Sequence, residues 1–279
     1  MPPWRPPSAA ESDDGQPAGG DPRRPLVVAG VIVAAALAAG ALAWWRFGDR
    51  VRWGEDQLLH PGDVVVEGLA PWIRADVRAE ALRMASLDHG VPVDDARLPT
   101  LLARAFDMHP WIREVSRVKV SHPPAAVVTV VCREPVAMVR IPGGLLAIDA
   151  DGVFLPSADF TAESAAAYPR VTGMTTSPQG PEGSRWGDPS VDEAAALVSA
   201  VGPQWQALDL VECRPAPGPR GRWDLVDRQG GVIRFGSAPG REQPGEPSAA
   251  LKIARLKAGV TPGTAAEPLD LGALRAAGS

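Results

Sequence analysis

The side chains best suited to catalysis or metal binding in this chain are its histidines and cysteines. No H-E-x-x-H pair is present, and Cys132 and Cys213 stand far apart without metal-ligand spacing. The chain also lacks a G-x-x-x-x-G-K-[ST] phosphate loop, a strand-linked G-x-G-x-x-G and a G-x-S-x-G nucleophile elbow. The sequence therefore predicts a non-enzymatic protein without catalytic, metal-binding or cofactor-binding residues. The histidines are His60, His89, His109 and His122.

Two weaker signals each have two interpretations. Cys132 and Cys213 are predicted to be small buried apolar side chains, and the alternative is a disulfide bridge formed in an oxidising compartment. Asp149-Ala150-Asp151-Gly152 matches part of a calcium loop, but it lacks the third ligand before the glycine and a glutamate at the end. Asp-Gly between two apolar runs, 145–148 and 153–155, indicates a hairpin turn instead.

The composition indicates a mostly globular protein with an acidic balance. Of the 279 residues, 45% are hydrophobic and 22% are charged, and the net charge is −5. Nucleic-acid-binding domains usually carry a basic stripe, so this balance argues against a nucleic-acid partner. We also expect no small-molecule substrate.

An apolar stretch near the N-terminus predicts a membrane anchor. Residues 26–45 contain no charged side chain, and 20 helical residues at about 1.5 Å each span the hydrocarbon core of a bilayer. A cleaved signal peptide is the alternative, but its apolar core is usually shorter. We therefore expect a disordered cytoplasmic tail over residues 1–24, a transmembrane helix over 25–46 and a spacer over 47–62.

The next segment, residues 63–136, has the pattern of a small α+β layer. Residues 64–68, a valine run that ends in Glu67 and Gly68, predict a strand, and apolar residues at helical spacing predict helices around 77–85 and 98–108. Alternation at 116–121 and a β-branched run at 127–132 predict two more strands. The order is therefore β-α-α-β-β, in which two helices cover one face of a three-stranded sheet.

Residues 137–275 are predicted to form a mainly antiparallel β-domain with peripheral helices. Trp223–Leu225 and Val232–Phe235 flank a turn at 228–231 and predict a hairpin. Ser190 and Glu193 are predicted to form the capping box of one helix, and Ser248 to cap another that ends at Gly259.

Short motifs in these segments resemble those of the bacterial cell-division proteins FtsQ/DivIB, and they occur in the same order. This family has a short cytoplasmic tail, one transmembrane helix, a POTRA domain and a β-rich domain. Two positions depart from its pattern: His122 stands where tryptophan is usual, and Gly272 stands where the family often has arginine. The matching segments are His109–Val115, Val118–Pro123, Arg133–Ala137, Ile148–Phe154, Tyr168–Gly173, Trp223–Gly236 and Leu251–Val260.

The resemblance implies a scaffold of the division machinery that binds other membrane proteins such as FtsB and FtsL homologues. It implies an inner-membrane protein at the division septum, with a cytoplasmic N-terminus and a periplasmic C-terminal region, and residues 26–45 in the bilayer. In the best-studied members of the family, the last sheet edge recruits FtsB by strand addition. The alternative is a POTRA-containing component of envelope transport or outer-membrane assembly. The residues implied to bind the partner are Arg220, Arg222, Trp223, Leu269, Asp270 and Leu271.

Overall fold

The computed structural model describes residues 34–43, 57–259 and 269–272, and the chain divides into two units, residues 1–55 and 56–279. Within the first unit, residues 34–43 form helix α1, which lies inside the predicted membrane span. The predicted tail and the rest of that span lie outside the described residues. Among the described residues, no helix is long and apolar enough to cross a membrane.

The second unit is an α+β fold, as predicted, and it begins with a three-stranded sheet covered by two helices. Two short strands, β1 and β3, pair separately, so the end of the predicted spacer already belongs to the fold. The sheet order is β2-β5-β4, with β2 parallel and β4 antiparallel to the central strand. The elements are β1 (Leu58–Leu59), β2 (Val64–Glu67), α2 (Val77–Met84), β3 (Val91–Pro92), α3 (Leu98–Asp107), β4 (Ile112–Ser121) and β5 (Ala125–Cys132).

The two helices begin for different local reasons. The side chain of Asp76 accepts a hydrogen bond from the Ala79 N–H and caps α2. Helix α3 has Pro99 in its first turn, where the missing N–H costs no helical hydrogen bond. Asp95 binds the N–H and guanidinium of Arg97, so it shapes the turn before α3 and does not cap it.

A seven-stranded sheet follows, and helices cover the core on one of its faces. Its strand order is β12-β11-β10-β9-β8-β6-β7. The large core joins strand residues such as Leu225 and Phe235 to Val191 and Leu256 of the helices. The elements are β6 (Pro135–Ile141), β7 (Gly144–Asp149), α4 (Ala162–Ala166), β8 (Arg170–Val171), α5 (Pro189–Val201), α6 (Gln204–Ala207), β9 (Leu210–Pro215), β10 (Arg222–Asp227), β11 (Val232–Ser237), α7 (Ala249–Gly259) and β12 (Leu269–Asp270).

The predicted antiparallel character holds only for the long pairings of this sheet. Strands β6/β7, β9/β10 and β10/β11 are antiparallel, whereas every pairing of the two-residue strands β8 and β12 is parallel. Parallel neighbours need a long crossover connection, and α5 with α6, and then α7, occupy two of these connections. The sheet is therefore mixed.

The start of α5 also differs from the prediction. Asp188 is its N-cap and accepts the Ser190 N–H at 2.8 Å, and Pro189 occupies the first helical position. Ser190 therefore lies inside the helix. Glu193 does not close a capping box, because its carboxylate accepts a hydrogen bond from the indole N–H of Trp223 at 3.2 Å.

Polar contacts and a small apolar cluster tie the two sheets together. Trp111, directly before β4, packs with Met138 of β6, and its indole N–H donates to Asp159 at 2.6 Å. Arg133, between β5 and β6, donates to the carboxylate of Asp149 at 2.8 Å. The change from one sheet to the other thus falls just before β6.

The turn after β7 has the geometry of a hydrogen-bonded loop. The Oδ1 atom of Asp149 accepts hydrogen bonds from the N–H groups of Asp151 and Val153, both at 2.9 Å. The turn interpretation of the Asp-Gly motif is therefore confirmed. The described residues contain no group of three or more His, Cys, Asp or Glu side chains placed to hold a metal ion.

The two cysteines are free thiols in different sheets. Cys213 of β9 is buried in the large core, and burial raises the pKa of its thiol far above the ordinary value. The thiol of Cys132 on β5 lies 3.4 Å from the carbonyl oxygen of Gly68. The buried apolar interpretation is right for Cys213, and the bridge is not formed.

Candidate partner-binding edge

Strand β12 is the last strand of the seven-stranded sheet among the described residues. It pairs in parallel with β11, so that Leu269 lies opposite Ile233 and Asp270 opposite Arg234. The N–H of Leu271 then donates to the Arg234 carbonyl oxygen at 2.9 Å. Three of the predicted partner-binding residues are therefore brought together in one short edge segment.

Leu271 anchors this segment in the core, and two glycines allow its backbone to approach β11 closely. Leu271 is 3% exposed and belongs to the large core. Gly236 of β11 has a φ of +83°, and a Cβ atom there would lie 3.4 Å from the Cα of Gly272. Gly272 therefore stands where the chain passes close to β11.

The residues on β10 and in the preceding turn that were predicted to bind a partner differ in exposure. Arg220 and Arg222 are exposed, and Arg222 shares a surface groove with Asp270. Trp223 is only 2% exposed and packs in the core, where it donates to Glu193. Trp223 thus supports the edge from inside, and its side chain is almost fully shielded from solvent.

Four charged residues of alternating sign lie in register across the last four strands. Arg214 on β9 is opposite Asp224 on β10, Asp224 is opposite Arg234 on β11, and Arg234 is opposite Asp270 on β12. We call these four residues the charge row. Directly opposite residues share one face of a sheet and lie close enough for their side chains to interact.

Sequence reasoning missed three members of the charge row. Arg214, Asp224 and Arg234 come from three strands, and no local spacing relates them. The only available signal is that Asp224 and Arg234 each lie next to a core residue of their own strand, Trp223 or Phe235. Alternation therefore places each of them on the outer face.

The charge row lines an open groove of about 420 Å³ at this edge, which we call the terminal groove. At its floor, Asp224 is 3% exposed, and no described residue donates a hydrogen bond to its Oδ1 atom. Burial raises the pKa of Asp224, although Arg214 and Arg234 oppose this shift. The groove is also lined by Ala216, Pro217, Pro219, Arg222, Trp223, Val232 and Gly236.

The terminal groove and β12 offer two kinds of binding chemistry. The groove presents arginine side chains and carboxylates that suit charge complementarity with a protein partner. The edge strand presents backbone groups that suit pairing with an extended segment. Both lie on the same border of the seven-stranded sheet, which makes this border the candidate partner-binding edge.

No protein-family model matches this chain, and no curated protein sequence is significantly similar to it.

Proposed function

We propose that this chain is a non-enzymatic, membrane-anchored scaffold of the bacterial division machinery, of the FtsQ/DivIB type. The motif order and the observed order β2-α2-β3-α3-β4-β5, in which β3 lies outside the three-stranded sheet, support a POTRA-like first domain. The seven-stranded sheet takes the place of the family's β-rich domain. Residues 26–45 serve as the bilayer anchor, with the tail in the cytoplasm and the folded unit in the periplasm.

The observation that carries this proposal is the combination of β12 with the terminal groove. Leu271 anchors the edge strand in the core, while Asp270 beside it is exposed on the groove. A partner strand that pairs with β12 therefore passes directly beside the charge row. This geometry suits strand addition by an FtsB-type protein, with FtsL-type and other division membrane proteins in the same assembly.

Binding measurements with the full 279-residue chain test this proposal. We expect the purified chain to bind the extracytoplasmic segment of an FtsB homologue with a dissociation constant of about 1 μM or tighter. Arg222→Glu combined with Arg234→Glu reverses two charges of the terminal groove and is expected to weaken binding by at least about tenfold.

A matched control reverses an arginine elsewhere. Arg83 is exposed on α2, in the layer that covers the other sheet. Arg83→Glu is expected to bind like the unchanged chain. Equal loss in both variants, or no binding by the unchanged chain, would count against a partner site at this edge. Normal septation after deletion of the gene would count against the division role itself.

A further inference from the structure

The charge row ends on an acidic residue at the border of the sheet. From β9 to β12 the signs run positive, negative, positive, negative, and each residue is directly opposite the next. Opposite charges in directly facing positions stabilise a pair of strands, and like charges destabilise it. A strand that pairs with β12 adds a fifth position to this row, facing Asp270.

We propose that the partner strand carries a lysine or arginine directly opposite Asp270. This inference rests on the proposed strand addition at β12 and specifies the chemistry that the edge selects. A basic residue continues the alternation across five strands. An acidic residue there faces the carboxylate of Asp270, with the buried carboxylate of Asp224 two strands further in.

The carboxylate of Asp270 is held at the border by its own chain. Its Oδ1 atom accepts a hydrogen bond from the N–H of Gly272 at 2.8 Å, which fixes the side chain beside the edge. Asp270 is exposed, whereas Asp224 at the groove floor is almost fully buried. An incoming side chain therefore meets Asp270 before any other acid of the charge row.

The remaining cation of the terminal groove lies outside the charge row. Arg222 is opposite Ser237 on β11, two residues along β10 from Asp224. Its row across the sheet is therefore different from the row that ends at Asp270. Arg222 can therefore interact with an acidic residue elsewhere on the partner. The position opposite Asp270 still favours a lysine or arginine.

A charge-swap experiment tests this inference with the full chain and the extracytoplasmic segment of an FtsB homologue. Asp270→Lys is expected to weaken binding about 5- to 20-fold, because it places two cations opposite each other. Asp270→Asn keeps an oxygen for the Gly272 N–H and is expected to weaken binding less. Each lysine and arginine of the partner segment is then changed singly to glutamate and measured against Asp270→Lys.

One of these partner variants is expected to restore binding to Asp270→Lys while weakening binding to the unchanged chain. Glu182→Lys is the matched control, since it makes the same charge change at an exposed loop position before α5. It is expected to bind normally, and none of the partner variants is expected to bind it better than the unchanged chain.

The outcomes separate this inference from the function on which it rests. If the unchanged chain binds but Asp270→Lys binds equally well, or no partner variant restores binding, the inference is overturned and the scaffold proposal stands. If the unchanged chain does not bind, the docking proposal fails and the inference fails with it.

Discussion

The ammonium group of Lys252 lies 2.6 Å from the Oε1 atom of Glu246 in the interior of the protein. Lys252 is fully buried in α7, donates a second hydrogen bond to the Ser237 carbonyl oxygen at 3.0 Å, and lies over the ring of Phe235. Glu246 in turn accepts the Ser237 N–H at 2.7 Å. The pair therefore ties α7 and the preceding loop to the end of β11, next to the candidate partner-binding edge.

Lys252→Met is expected to lower the free energy of unfolding by about 3–5 kcal/mol, because it leaves the Glu246 carboxylate buried without its cation. Urea denaturation at pH 7 measures this change. Lys257→Met is the control, since Lys257 is exposed on the same helix, and a change within about 0.5 kcal/mol is expected there. Similar small losses in both variants would contradict a structural role for the pair.

The same pair predicts a loss of stability in acid. Burial alone raises the pKa of Glu246, but hydrogen bonds from Lys252 and Ser237 outweigh this effect and lower the pKa to about 2. Unfolded glutamate has a pKa near 4.3, so the unfolded chain takes up the proton first as the pH falls. The contribution of the pair to the free energy of unfolding is therefore complete above about pH 4.3 and is lost as the pH falls towards 2.

Glu246→Gln removes this titration. We expect the variant to be less stable than the unchanged chain at pH 7 and to lose less stability between pH 5 and pH 3. Denaturation midpoints at pH 5, 4 and 3 show how steeply the stability of each chain changes with pH. Parallel slopes would show that other carboxylates cause the acid loss.

His109 predicts a second loss of stability, at milder acidity. It is 2% exposed, its Nδ1 atom accepts the Trp111 N–H, and its Nε2–H donates to Glu80 at 3.2 Å. Burial lowers the pKa of His109, although Glu80 opposes this shift. The folded chain therefore keeps His109 neutral at a pH where the unfolded chain, with a pKa near 6.5, is protonated.

The contribution of neutral His109 is complete above about pH 6.5 and decreases as the pH falls below this value. Urea denaturation between pH 7.5 and pH 5.5 is expected to show this decrease in the unchanged chain and a flatter profile in His109→Gln. His89→Asn is the control, because the side chain of His89 is 85% exposed. A decrease that persists unchanged in His109→Gln would rule out this residue as its source.

Alanine substitutions at two glycines of the β10–β11 region separate the effect of backbone strain on stability from the effect of steric crowding. Gly236 and Gly230 have φ values of +83° and +88°, so alanine is strained at both by about 1–2 kcal/mol. A Cβ atom on Gly236 collides with the Oε1 atom of Glu246, whereas a Cβ on Gly230 meets open space. Gly236→Ala is therefore expected to lower the free energy of unfolding, measured by urea denaturation, by roughly 1–3 kcal/mol more than Gly230→Ala does. Equal costs would mean that the Glu246 side chain moves away freely.

Local patterns predicted most of the elements in the second unit. Apolar spacing correctly predicted α2 and α3, and the β-branched runs correctly predicted β2 and β5. Strand β4 begins at Ile112, earlier than its alternating segment, because its first residues pair with the end of β5 and no periodic signal marks them. The N-cap of α5 was misplaced because Ser190 and Asp188 both suit a cap, and only Pro189 in the first helical position distinguishes them.

The candidate partner-binding edge was predicted less completely. Motif resemblance named Leu269, Asp270 and Leu271 as partner-binding residues, and these three lie in the segment next to β11. It also proposed Trp223, whose side chain lies in the core. Resemblance transfers a position along the chain, but the face on which a side chain lies depends on the strand that carries it.

By itself, the sequence determines the order of helices and strands, the alternation within each long strand and the glycines that end them, because these depend on neighbours only a few residues apart. Only the tertiary structure decides the seven-strand order and the register that aligns Arg214, Asp224, Arg234 and Asp270. Register is set by packing between strands that are distant in sequence, and a shift of one residue moves every side chain to the opposite face. The charge row, and the binding specificity inferred from it, therefore exists only in the folded chain.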